Sequence, residues 1–232
     1  MNNPVFGEFY MDEQEKKSAK SGLYQLFIGL SYGLQILRAL LHIYLFLTSP
    51  VRSVIEKDID RWIEIEYPER KLQKRQAWLE LVWLLWQLKE YRNLFYYRIK
   101  REYQVSSRII LAFAEWLYRP LAFLFIRADH IDEGLFIQHG YATGISARRI
   151  GKNCWINQQV VIGFSDVGKY PTIGDNVRIA AGAKVLGDVT VGDNAIIGAN
   201  AVVVKDVPPN CTVVGVPAYI IKRDGKRVHE KL

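Results

Sequence analysis

Apolar positions in this chain follow one rule before about Ile126 and another after it. Residues 23–47 are mostly apolar, with Gln35, Arg38 and His42 at i, i+3 and i+7, which predicts a helix with one polar stripe in a broad apolar face. Its length also meets the roughly 20 residues of a membrane span, so three readings stay open: packing within a helical domain or subunit interface, lying on a membrane, or crossing one. Thr48, Ser49 and Pro50 predict a stop and a new start, with the proline at the first helical position and the second helix reaching Tyr67 before Pro68. Leu72, Ala77, Leu81, Leu84, Leu85 and Leu88 recur at spacings of three and four, with Trp78, Trp83 and Trp86 nearby, and predict a helix over 71–89. In EYRNLFYYRIKRE, residues 90–102, aromatics alternate with Arg92, Arg98, Lys100 and Arg101. At helical spacing those aromatics read as core, and the interspersed acids argue against nucleic acid as a partner. A last helix over 107–126 contains Pro120, which kinks or splits it.

Beyond that point the period changes. Ile150, Ile156 and Ile162, then Ile173, Ile179, Val185, Val191, Ile197 and Val203, recur every six residues, with one longer step from Ile162 to Ile173. Six is a multiple of the strand period, so each of these residues points the same way from a short strand. Four residues after each come Cys154, Val160, Asp166, Val177, Ala183, Val189, Ala195, Ala201 and Val207, nearly all small or branched, as a second inward position in a narrow interior requires. Three residues after each come Asn153, Gln159, Ser165, Asn176, Gly182, Asp188, Asn194, Asn200 and Asp206, mostly types that tolerate the left-handed backbone of a corner. Strand and corner alternating, with three hexads to a coil, predict a triangular parallel β-helix. The longer step, within GFSDVGKYPT, predicts a loop leaving the coil and a candidate site.

The overall expectation is an α+β chain: a polar segment at 1–21, a helical region at 22–126, a β-helix at 127–221 and a basic tail at 222–232. Composition narrows what it does. Half of the 232 residues are hydrophobic, enough for a sizeable core, and the net charge of +7 suits an anionic cofactor, a membrane surface or nucleic acid without choosing among them. Two cysteines, Cys154 and Cys211, exclude a disulfide framework and point to a reducing compartment. The apolar stretch after Lys16, Lys17 and Lys20 lacks a cleavage pattern, so no signal peptide is expected.

The hexad columns resemble the left-handed β-helix acyltransferases over 131–221. GLFIQHGYATGI, residues 134–145, the coil IGKNCWINQQVVIG and the shortened loop ending in Tyr-Pro-Thr-Ile-Gly resemble the serine acetyltransferase branch and its relatives that O-acetylate exopolysaccharide. The resemblance implies a left-handed coil, acetyl-CoA as co-substrate without a metal, a homotrimer with its site between subunits, and His139 as general base. An imidazole suits that task, because an attacking alcohol must lose its proton near neutral pH. His42, His130 and His229 lack the motif. Gly163, Ala181, Gly182 and Ala199 are candidates for lining the pantetheine arm, and Lys184, Lys205 and Lys222 for the coenzyme phosphates. Gln138, Tyr141, Trp155, Gln158, Gln159 and Tyr170 are candidates for the acceptor. VPPNCTVVGVPAYIIK resembles the closing coil of the superfamily, near bound coenzyme A.

The departures shape the expected acceptor. Gln138 stands where the branch has an aspartate, Lys169-Tyr170-Pro171 where it has Arg-His-Pro, and Leu124 where it has the acid that orients the histidine; Asp129, Asp132 and Glu133 are candidate replacements. A zwitterionic amino acid needs paired charges, whereas a sugar needs neutral hydrogen-bonding groups and flat surfaces. The expectation is therefore acetyl transfer to a hydroxyl of a capsule or exopolysaccharide sugar or its precursor. Serine acetylation is the alternative, and a non-catalytic trimeric scaffold the second. A lipid-linked acceptor would be met in the cytoplasm at the inner membrane face, touched peripherally by residues 23–47. A metal-dependent hydratase would need several converging histidines, and a nucleotidyltransferase a Gly-rich strand-to-helix motif; neither pattern occurs.

Overall fold

The computed structural model describes residues 22–71, 76–102, 108–164, 166 and 168–232. The expected polar segment at 1–21, Leu72 of the third predicted helix and the corner residue Ser165 lie outside the described residues. The chain divides into two compact units, residues 1–40 and 41–232. Helix α1, Gly22–Thr48, runs through the boundary, and in the first unit Leu30, Leu34, Leu37 and Leu40 are exposed.

The second unit begins with the end of α1, where His42 is fully buried with Nε2 2.8 Å from the Tyr96 hydroxyl, a structural place for that histidine. Four further helices follow in α2 (Arg52–Glu66), α3 (Pro68–Lys71), α4 (Ala77–Gln87) and α5 (Lys89–Glu102), and then α6 (Arg108–Leu117). Pro50 is not the first helical residue: it lies in the turn before Val51, the N-cap of α2. Pro68 ends α2 as expected but also opens α3, where its missing N–H is no loss. The predicted helix over 107–126 stops at Leu117. Pro120 cannot continue it, and Leu124–Ile126 instead becomes the first strand of the solenoid, paired with Thr143–Ile145.

From there the chain winds as a parallel β-solenoid built of hexapeptide repeats, with three faces. The first sheet stacks β1 (Leu124–Ile126), β4 (Thr143–Ile145), β7 (Val161–Gly163), β10 (Lys184–Leu186) and β13 (Val202–Val203). The second stacks β2 (His130–Ile131), β5 (Arg149–Ile150), β8 (Thr172–Ile173) and β11 (Thr190–Val191). The third stacks β3 (Phe136–Ile137), β6 (Trp155–Ile156), β9 (Arg178–Ile179), β12 (Ile196–Ile197) and β14 (Cys211–Val214). The hexad aliphatics from Ile150 to Val203 are all at most 1% exposed, so one inward column per face makes the core. The corner column also behaves as its residue types require: Asn153, Gln159, Asn176, Gly182, Asn194 and Asn200 all have φ between 54 and 75°. At Asp188 the positive φ moves back one residue, to Gly187.

Residues 222–232 are not a loose tail. β15 (Tyr219–Arg223) and β16 (Lys226–Lys231) form an antiparallel hairpin that extends the third sheet past β14. The helices are bolted to the first coil by a buried ion pair. Arg98 of α5 meets Asp58 of α2 through Nε at 2.9 Å and Nη2 at 3.3 Å, and donates to the carbonyl oxygens of Ile131 and, at 2.7 Å, Asp132. Asp58 Oδ1 accepts the Gly134 N–H at 2.7 Å, and the Trp62 indole N–H donates to Leu135 O at 2.8 Å.

Candidate active site

The corner between the third and first sheets carries most of the chemistry. By register Ile137 lies beside Ile156 and Ile145 beside Ile162, so the first coil spends two residues more on this corner than the coil below. The extra length is absorbed by left-handed backbone at His139, φ 52°, and Ala142, φ 53°. His139 is thereby pushed out of the coil, and its side chain is exposed, although Ile137 before it and Thr143 after it are buried. Left-handed φ on a side chain of this size is uncommon and is kept where the surroundings impose it. Here the corner ladder does so: Gln159 N–H donates to Tyr141 O, Gly182 N–H to Gln158 O, and Asn200 N–H to Ala181 O, at 2.9 to 3.0 Å.

That ladder brings Gln138, His139, Tyr141, Gln158, Gln159, Ala181, Gly182 and Ala199 onto one edge. Lys184 begins the next strand and donates from Nζ to Gly182 O. At Gly182 the left-handed φ of 75° coincides with a close approach, since a Cβ there would stand 2.1 Å from Asn200 Oδ1. Gln138 Oε1 accepts from Asn157 Nδ2 at 2.9 Å, while Gln158 Oε1 is buried without a hydrogen-bond partner. Tyr141 is exposed and meets Phe123 edge to face, ring centres 5.6 Å apart.

Other candidates stand elsewhere in the chain. Trp155 lies on the outer face of the third sheet, between Phe136, ring centres 4.8 Å apart, and the Arg178 guanidinium, 4.6 Å from the ring centre. Gly163 ends β7 at the opposite edge of the first sheet, beside Phe164, whose ring lies 5.3 Å from that of Tyr170, while residues 165 and 167 of the predicted loop lie outside the described residues. Lys205, past β13 on that same edge, donates to Leu232 O at 2.8 Å and borders a cavity of about 400 Å³ with Val204, Pro217, Ala218 and His229. Lys222 lies on β15 of the third sheet.

Of the three acids offered as partners for His139, Asp132 and Glu133 are engaged elsewhere and Asp129 belongs to another corner. Asp132 holds His130 at 3.0 Å and Arg149 at 2.5 Å, and Asp129 sits between β1 and β2 with its backbone N–H on Ala147 O. Glu133 is held at about 2 by its own backbone N–H, with Lys152 and Lys57 adding to the effect against desolvation. Two acids missed in the sequence do approach the corner. A Cβ on Gly140 would lie 3.2 Å from Glu90 Cγ of α5, and Glu66, the last residue of α2, feels the His139 charge. No local motif marks them, because they come from helices distant in sequence. Among the described residues no group of three His, Cys, Asp or Glu is gathered to hold a metal.

A model for the bacterial transferase hexapeptide, six repeats, matches residues 170–205. The serine acetyltransferase of Staphylococcus xylosus is 51% identical over 102 residues, which cover 42% of this chain and 47% of that protein. The chain thus spans about half the length of the curated relatives it matches. Neisseria gonorrhoeae serine acetyltransferase in complex with serine superposes with a TM-score of 0.61 at 25% identity, covering 90% of this chain and 94% of that one. The Brucella abortus serine acetyltransferase in complex with coenzyme A gives 0.57 at 27% identity, covering 80% and 73%.

These relatives overturn the expected kinship with exopolysaccharide O-acetyltransferases, and with it the sugar or polysaccharide acceptor and the link to capsule synthesis. The structure shows why the sequence misled. Gln138 suggested an acceptor site rebuilt with neutral amide groups, but its amide oxygen already accepts from Asn157 Nδ2 of the next coil, so an amide at that position serves the coil as well as a substrate.

Proposed function

We propose that this chain is an acetyl-CoA-dependent serine O-acetyltransferase in which His139 is the general base. The observation that carries the reading is an imidazole pushed out by a two-residue bulge above a column of small corner residues. In the proposed reaction His139 removes the proton from the serine hydroxyl, whose oxygen attacks the thioester carbonyl of acetyl-CoA. A C–O ester bond forms, the C–S bond breaks, and the imidazolium returns the proton to the departing thiolate. The unpartnered Gln158 Oε1 is a ready acceptor for a donor group of the amino acid, with Gln138, Gln159 and Tyr141 around it. Ala181, Gly182 and Ala199 allow a thin chain such as pantetheine to lie along the column, beside Lys184, while Gly163, Lys205 and Lys222 are assigned to the coenzyme's more distant parts. Both co-substrates are supported by the serine and coenzyme A complexes of the similar proteins.

A homotrimer fits this reading, because Tyr170, packed on Phe164 just past β7, lies at the other edge of the first sheet from His139 within one chain and would serve the site of a neighbour. The proposed setting is the cytoplasm, where acetyl-CoA is made and where two buried free thiols, Cys154 and Cys211, stay reduced. The 29–48 part of α1 is long and apolar enough to cross a membrane, and its exposed leucines support peripheral contact with the inner membrane face.

The test is coenzyme A release from acetyl-CoA by the purified protein with L-serine, beside His139→Ala. Saturable turnover that falls at least about a hundredfold in the variant is expected. No turnover with serine, or turnover indifferent to His139, would overturn the reading.

A further inference from the structure

A histidine base works best when a carboxylate fixes its ring and stabilises the imidazolium that forms. The solenoid side of the bulge is apolar next to Gly140. Leu124 of β1 is buried there, with Cδ2 2.9 Å from where a Cβ on Gly140 would stand, so the space under the bulge is filled by hydrocarbon. The helices supply the other side. Asp58, Trp62 and Glu66 lie at i, i+4 and i+8 on one row of α2, and that row runs along the segment leading to His139. Asp58 takes the Gly134 N–H at 2.7 Å. Trp62 donates to Leu135 O at 2.8 Å and packs its ring on Phe136, centres 4.8 Å apart. The next residue on the row is Glu66.

We infer that Glu66 is the positioning carboxylate of His139, reaching it from the end of α2 rather than from the coil; the inference rests on the reading of His139 as the base. The electrostatics agree with the geometry. Desolvation by the surrounding protein raises the Glu66 pKa, His139 opposes that rise more than any other group, and Glu90 of α5 adds to it. Tyr67 is a further titratable neighbour, its phenol pushed up to about 12 by desolvation and then by Glu66, with Arg70 and Glu69 of α3 acting on it. Arg70 is itself tied to Glu80, at 2.9 and 3.2 Å. Glu90 is a second carboxylate at the bulge, with its Cγ 3.2 Å from where a Cβ on Gly140 would stand.

The experiment is an NMR titration of the full-length protein, with the His139 resonance assigned by its loss in His139→Asn, repeated on Glu66→Gln, Glu66→Asp and Glu90→Gln. A nearby carboxylate raises an imidazole pKa, so in Glu66→Gln the His139 midpoint should fall by about one pH unit, in Glu66→Asp recover most of that, and in Glu90→Gln fall less. With L-serine and acetyl-CoA, Glu66→Gln should lower kcat about tenfold, shift the acid limb of the rate profile to lower pH, and leave the KM for serine within about twofold. An unchanged midpoint in Glu66→Gln overturns the inference. So does a rise confined to the serine KM, which would make Glu66 a clamp for the ammonium group. Because the titration needs no acceptor, absence of serine turnover alongside a shifted midpoint would refute the proposed substrate while leaving the His139 partner assigned.

Discussion

Arg98→Met removes the positive half of the buried pair that bolts α2 and α5 to the first coil. Arg98 and Asp58 side chains are 6% and 1% exposed, so no water replaces the guanidinium. The variant leaves the Asp58 carboxylate with only the Gly134 N–H and strips donors from the carbonyls of Ile131 and Asp132. Breaking one partner of a buried pair typically costs about 3–5 kcal/mol. At about 2–4 °C per kcal/mol for a protein of this size, Tm should fall by roughly 6–20 °C. The loss should depend on pH with a definite sign. Desolvation already raises the Asp58 pKa, opposed mainly by Arg98, and a group raised in the folded state stabilises only while it is protonated. Without Arg98 its pKa rises further, so the penalty is small in mild acid and grows as pH climbs. Adding Asp58→Asn removes the stranded charge and should recover part of the stability at pH 8 while changing little at pH 5. The assay is denaturation followed by far-UV circular dichroism at fixed protein concentration. A loss below about 1 kcal/mol at pH 8, or one independent of pH, would refute this account of the pair.

Three other outcomes are expected. Gly182→Ala forces a Cβ into left-handed backbone and against Asn200, so Tm should drop by roughly 2–8 °C and the KM for acetyl-CoA should rise, both measured on one preparation. Burial pushes the Cys154 thiol up to about 12 and raises that of Cys211, so a thiol reagent at pH 8 should label neither in the folded protein and both in denaturant. Gln158→Leu removes a buried acceptor that has no protein partner, so stability should hold while the serine KM rises several-fold, read by melting and by steady-state kinetics.

Much of this protein was legible as sequence because the solenoid is a local structure. Each hexad must aim one aliphatic residue inward and turn one corner, so Ile150 to Val203 and the asparagines between them encode the faces and corners residue by residue. The same locality makes the break before Ile173 a loop and the motif around His139 recognisable. The end of the last helix was harder to read, since Leu124–Ile126 is apolar in either state and becomes a strand only because Thr143–Ile145 is there to pair with it. Residues 222–232 read as a basic tail for a similar reason: their strand pairing is antiparallel and lies outside the repeat. The acceptor and the acids around His139 lay furthest from view. Whether Gln138 is available to a substrate depends on Asn157 one coil away, and whether a carboxylate meets His139 depends on how Asp58 and Trp62 dock α2. Periodicity determines which way a side chain points from its own backbone; only packing between distant segments decides what it meets there.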